Sequence, residues 1–208
     1  MYDFIADLDA FFCEKYAGYD KLSVLPGYKM PLMQASEMDE FGRMRSYTLP
    51  AETMRLAAQE KKDEILADLK SRMADTTFSF SFAPQSFFAR IKARFSKYSV
   101  YKNLGKLLQK YDFSDADALE TLTIDEEIWQ GIRKGKFLPS KNLIFSLALA
   151  AHFSFDDTKA LLSLCAFHFD YTIVKDVIIC YLLQQKVYNA PMMESALTEY
   201  KVDNLFLK

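Results

Sequence analysis

The chain has 208 residues, 50% of them apolar and 26% charged, with a formal net charge of −2. That balance is globular rather than disordered, and near-neutrality excludes a global electrostatic pull toward nucleic acid or anionic membrane. Eighteen Phe and twelve Tyr supply ample core surface, while only six Gly and six Pro favour helices over a many-stranded sheet.

Residues 3–17 place Phe4, Leu8, Phe11 and Phe12 on one helical face with acids on the other. Gly18, Pro26, Gly27, Pro31, Gly42 and Pro50 then interrupt the chain, which predicts a long loop over 18–50 with short extended pieces such as 21–25. Pro50 and Ala51-Glu52-Thr53 open a helix to about Ala74, rich in strong helix formers. Residues 76–82, TTFSFSF, alternate strictly and predict an extended segment with Phe78, Phe80 and Phe82 on one face.

From Pro84 the chain becomes helical and basic. No Asp or Glu occurs between Thr76 and Tyr111, whereas Arg90, Lys92, Arg94, Lys97, Lys102, Lys106 and Lys110 do. A domain boundary is placed near residue 96. It separates an N-terminal helical unit (1–96), with loop 18–50 and aromatic segment 76–88, from a helical bundle (97–208). The bundle parses into helices at about 98–111, 115–122, 125–135, 140–152, 156–167, 173–186 and 190–201, separated by caps and breakers such as Ser114, Asp125, Gly135, Pro139-Ser140, Ser154 and Asn189.

Cys13, Cys165 and Cys180 are too few and too scattered for a disulfide framework, and read as buried thiols of a reducing compartment. Acids at Asp3, Asp7 and Asp9 do not fit a secretory signal, and the most apolar stretch, 143–151, falls far short of the ~20 residues that cross a bilayer. A cytoplasmic protein without membrane association is expected. Cys165-x-x-His168 has metal-ligand spacing but lacks a second cysteine pair, so both residues read as core. Asp7-Leu8-Asp9-Ala10-Phe11-Phe12 resembles the first metal-binding motif of translesion DNA polymerases, which requires a strand and a distant acidic pair; its helical flanks here make it part of a helix. Gly-rich phosphate loops, Gly-x-Ser-x-Gly and His-Glu-x-x-His do not occur.

Residues 114–162 run as short helix, tight turn, second helix, Gly135-Lys136, Pro139-Ser140, apolar helix and acid-capped helix. Leu122 and Ile124 flank the turn, Ile128 and Ile132 anchor the second helix, and Leu143, Leu147 and Leu149 continue the core. That order resembles the Cro/repressor-type (XRE) helix-turn-helix family. More loosely, 98–208 is similar to a helical tail appended to some bacterial macrodomain proteins. The first resemblance implies a second helix that lies in the major groove and presents Asp125, Glu126, Glu127, Gln130, Arg133 and Lys134. Three acids at the entry to a polyanion's groove oppose that role, and Leu119 and Thr123 depart from the family's small residue and turn glycine.

The expectation is a mainly α protein: an N-terminal helical unit with a short extended segment, then a helix-turn-helix-like bundle, with no catalytic, cofactor or metal site. Its function reads as a non-enzymatic regulator or adaptor acting through a protein partner; the alternative is a sequence-specific DNA-binding regulator, disfavoured by Asp125, Glu126 and Glu127. Candidate partner or nucleic-acid contacts are Arg90, Lys92, Arg94, Lys97 and Lys102, interleaved with Phe87, Phe88, Phe95, Tyr98 and Tyr101, and Gln130, Arg133, Lys134 and Lys136; the favoured reading of the first stretch is an amphipathic helix with buried rings and a solvated basic face. Trp129, beside Ile128 on the second helix, is expected to be buried.

Overall fold

The structure, a computed structural model, describes residues 3–16, 34–38, 44–48, 66–67, 70–71, 82–96, 98–202 and 205–208. It is mainly helical. In chain order come α1 (Phe4–Lys15), β1 (Gln34–Met38), β2 (Met44–Thr48), α2 (Phe87–Phe95), α3 (Val100–Lys110), α4 (Asp115–Thr121), α5 (Glu126–Arg133), α6 (Lys141–Ala150), α7 (Phe155–Leu164), α8 (Val174–Gln184) and α9 (Ala190–Glu199).

Short polar side chains start most of these helices. Asp3, Ser86, Ser140, Ser154 and Asn189 each accept from an amide of the first turn. Ser114 and Asp117 close a reciprocal capping box at α4, and the Asp117 carboxyl is held below its usual range by the Ser114 hydroxyl and amide.

The helix ends are built differently. Asp112, His152, Ala166, Lys186 and Lys201 all have positive φ just beyond a helix, as does Gly135. Each is followed by a residue whose amide reaches back five residues to the helix: Phe113 to Leu108, Lys136 to Gly131, Phe153 to Ala148, Phe167 to Leu162, Val187 to Leu182 and Val202 to Leu197. These are Schellman closures, and in all but one the returning residue is apolar.

Two helices form the centre. Every residue from Leu143 to Leu149 in α6, and from Lys175 to Leu183 in α8, is buried. A helix apolar on all sides belongs inside a bundle, and α1, α4, α7 and α9 pack around this pair, with α3 set against α5 and α7. Within α8 the Asp176 carboxylate accepts from Lys141 at the start of α6 and from the Asp170 amide at 2.6 Å; burial nonetheless holds it above its usual range. At the α3–α7 junction, Asp157 gathers Lys110, the Tyr111 hydroxyl and the Ser154 hydroxyl at 2.6, 2.5 and 2.9 Å.

The first helix shares this core. Leu8 and Phe12 are fully buried, and α1 packs on α8 and α9. Its acids do not all lie on the far side, as the sequence suggested. Asp7 accepts from Tyr181 at 2.7 Å, and Asp9 accepts from Tyr200 at 2.6 Å and pairs with Lys70 at 2.9 Å. At about 100° per residue, Asp7 and Asp9 border the apolar face on either side, which is where a buried phenol can reach them. A boundary near residue 96 thus leaves α1 on one side of it, packed on helices from the other.

Within the predicted loop 18–50 the structure holds a hairpin, β1 antiparallel to β2, pairing Gln34 with Thr48 through Met38 with Met44. QASEM and MRSYT lack an alternating apolar pattern, so neither strand had a periodic signal. The extended piece at 21–25 and the TTFSFSF segment, apart from Phe82, lie outside the described residues, as does most of the helix expected over 51–74.

Candidate interaction surfaces

In the segment 114–138 the sequence builds a small polar clip. The Trp129 indole, 0% exposed, donates through Nε1 to Asp115 Oδ1 at 3.0 Å, and Arg133 Nε donates to the same oxygen at 2.7 Å. One carboxylate on the first residue of α4 therefore fastens α5 at two places, one turn apart. Gly131 lets α5 approach the following loop: a Cβ there would lie 2.4 Å from the Phe137 ring. Gly135, at φ +69°, is likewise crowded by Tyr101.

Two short pairings strap this segment. The Leu138 amide donates to Ala83 and the Gln85 amide to Lys136, at 3.1 and 2.8 Å, forming a bridge between Pro84 and Phe137. On the other side, the Thr123 amide donates to Phe206 at 2.6 Å and the Lys208 amide to Thr121 at 3.0 Å. Phe206, 1% exposed, also donates its amide to Ser146 Oγ.

The sequence-predicted contacts fall in two groups. On α5 and its exit, Asp125, Glu126, Glu127, Lys134 and Lys136 are exposed, Gln130 is half-buried, and Arg133 is half-buried in its pair with Asp115. Acids at the start and a base at the end complement the helix dipole. On α2, Arg90, Lys92 and Arg94 are exposed, and the Arg94 carbonyl accepts from Lys102 Nζ at 2.5 Å. Lys97 lies outside the described residues. The Gln85–Lys136 pairing brings the two groups onto neighbouring elements, and Lys92 and Gly135 line one cavity of about 320 Å³ between α2 and the start of α3.

Against the expectation of buried rings, the aromatic side of α2 is not core. No residue of α2 is buried, and Phe87, Phe88 and Phe95 are 68%, 82% and 84% exposed. Tyr98, just beyond, is 69% exposed.

Sequence reasoning missed a third surface. A groove of about 950 Å³ runs between the end of α4, α9 and the residues Lys201, Val202, Leu207 and Lys208; Ala150, Met193 and Leu197 line it together with these and with Glu120 and Glu194. It joins residues far apart in the chain, and only the apolar spacing of Met193 and Leu197 on α9 hinted at it.

Cys165 and His168 do not converge: the thiol is buried, which pushes it up to about 12, and the imidazole is exposed. Among the described residues no group of three His, Cys, Asp or Glu is placed to hold a metal ion, and no helix is long and apolar enough to cross a membrane. Compared with known proteins, the chain matches no family model, no curated protein and no solved structure.

Proposed function

We propose that this chain is a non-enzymatic regulator or adaptor of the cytoplasm that seats a protein partner in the groove beside α9. The observation that carries the reading is the groove itself, whose apolar floor is bordered by charges of both signs, Glu120 and Glu194 against Lys201 and Lys208. An apolar centre with a polar rim is the anatomy of a protein-binding surface. The helix-turn-helix resemblance supports the alternative, a DNA-binding regulator. Against it stand the exposed acids at the start of α5 and the engagement of Arg133 by Asp115.

Affinity capture with the intact chain, followed by direct titration of the captured protein, tests the first reading. Glu194→Arg with Thr198→Arg, both exposed on α9 at the groove, should weaken that titration tenfold or more, in the ~1.4 kcal/mol range of a lost contact cluster. Equal binding by the double variant would refute the groove. For the alternative, random duplex DNA should not shift at physiological salt. Replacing Asp125, Glu126 and Glu127 by Ser, Arg and Ser should create salt-sensitive binding if the helix-turn-helix geometry holds. Tight, steeply salt-dependent binding of a defined duplex by the unmodified chain would overturn the adaptor reading.

A further inference from the structure

Helix α2 is mounted with its apolar side outward. At about 100° per residue, Phe87, Ile91, Phe95 and Phe88 fall within a sector of about 100°, and Ala89 and Ala93 lie opposite. The alanine side faces the body: Ala89, Ala93 and Ser96 line the cavity shared with Val100, Phe137 and Leu138. The phenyl side faces solvent, with Phe88 and Phe95 more than four-fifths exposed (82% and 84%). The helix is held at both ends, by the Ala83–Leu138 and Gln85–Lys136 bonds before it and by Lys102 Nζ on the Arg94 carbonyl at its end. Arg94 and Lys92 flank the apolar sector on its two edges, Arg90 lies beyond Arg94, and the sequence has no acid from 76 to 111.

From this we infer that α2 is a peripheral membrane anchor that lies flat on an anionic lipid surface, with its phenyls among the acyl chains and its cations at the headgroups. Aromatics on one side and Arg and Lys along its borders are the composition of an interfacial helix. A second copy of the same face would bring Arg90, Lys92 and Arg94 against their like, so charge selects an anionic occupant. Because the body covers the alanine side, a partner cannot wrap the helix and must meet it as a plane. The inference concerns a different face from the groove beside α9, and it bears on surface attachment, which the length rule for spanning helices does not address.

The test is co-sedimentation of the intact chain with vesicles of phosphatidylserine in phosphatidylcholine, against vesicles of phosphatidylcholine alone. Binding should require the anionic lipid and fall as salt rises, since surface charges are screened within about 10 Å at 0.1 M. Phe88→Ser with Phe95→Ser should lower partitioning about a hundredfold, at roughly tenfold for each phenyl withdrawn from the interface. Arg90→Gln with Arg94→Gln should lower it about twenty-five-fold, at roughly fivefold per cation. A Phe88→Trp variant reads insertion directly, because its exposed indole should shift to the blue on anionic vesicles while the buried Trp129 stays constant. These positions are exposed, so helicity should be unchanged in every variant. The inference is overturned if the intact chain ignores anionic vesicles, if the phenyl pair can be removed without effect, or if a single-stranded polynucleotide or an acidic protein displaces the chain from vesicles at equal charge concentration.

Discussion

Asp115→Ala isolates the clip that joins α4 to α5. The substitution removes the acceptor of the Trp129 indole and of Arg133 together. The two losses differ in weight. Asp115 and Arg133 side chains are 42% and 25% exposed, so water screens their attraction, and such a pair contributes at most about 1 kcal/mol. The indole is 0% exposed, and a buried donor stripped of its acceptor costs about 1–3 kcal/mol. The expected total is about 2 kcal/mol, or a fall of roughly 4–8 °C in Tm for a chain of this size. Urea unfolding followed by far-UV circular dichroism measures it, and a cycle with Trp129→Phe separates the parts. In the Phe background no indole donor is left stranded, so Asp115→Ala should cost about 1 kcal/mol or less there. Equal costs in the two backgrounds would refute the role given to the indole.

Gly131→Ala should destabilise by about 1 kcal/mol: the gain of about 1 kcal/mol in helix propensity is outweighed by the ~1–3 kcal/mol of overpacking against Phe137, and adding Phe137→Leu should recover stability in the same urea titration. Under native conditions a maleimide should label Cys13, which is half-buried, well before Cys165 and Cys180, whose thiols are pushed up by burial; peptide mass mapping over time reads the order. Burial raises the Asp157 carboxyl, but hydrogen bonds from Lys110, Tyr111 and Ser154 outweigh it and hold the group below its usual range. Its contribution is therefore fully present above the unfolded carboxylate value near pH 4 and is lost as pH falls through the lower native value. Asp157→Asn should flatten the acid limb of stability against pH, and an unchanged limb would discount the α3–α7 junction.

The existence of the bundle helices and their starts was legible, because Ser114, Ser140, Ser154 and Asn189 are local chemical signals that the structure uses as caps. Their ends were less so. The sequence reading carried α7 to 167, α8 to 186 and α9 to 201, where the helices stop at Leu164, Gln184 and Glu199. Among the described residues glycine marks such an end at Gly135 alone; at Asp112, His152, Ala166, Lys186 and Lys201 a side-chain-bearing residue takes the left-handed conformation, and no local residue type announces it. Trp129 was correctly expected to be buried, but its bond to Asp115 was not readable, since an acid at a helix start already has a complete explanation in the dipole. The orientation of α2 was hidden for a similar reason. Alternating rings and cations predict an amphipathic helix, and periodicity cannot say which side meets the body when alanines can do so as well as phenyls.

The strap formed by residues 205–208 sets an order of events. The turn after α4 is completed by bonds from Thr123 to Phe206, 83 residues further along the chain. Closing so distant a contact is entropically slow, and during synthesis it must wait until residues 205–208 have been made. Until then α4 and α5 can have their capping box and indole clip, but the Thr123 amide lacks its Phe206 acceptor and Ser146 its Phe206 donor. The groove beside α9, which includes Leu207 and Lys208 in its lining, is complete only once that strap has closed. A chain caught before the strap closes would carry its helices but not its groove.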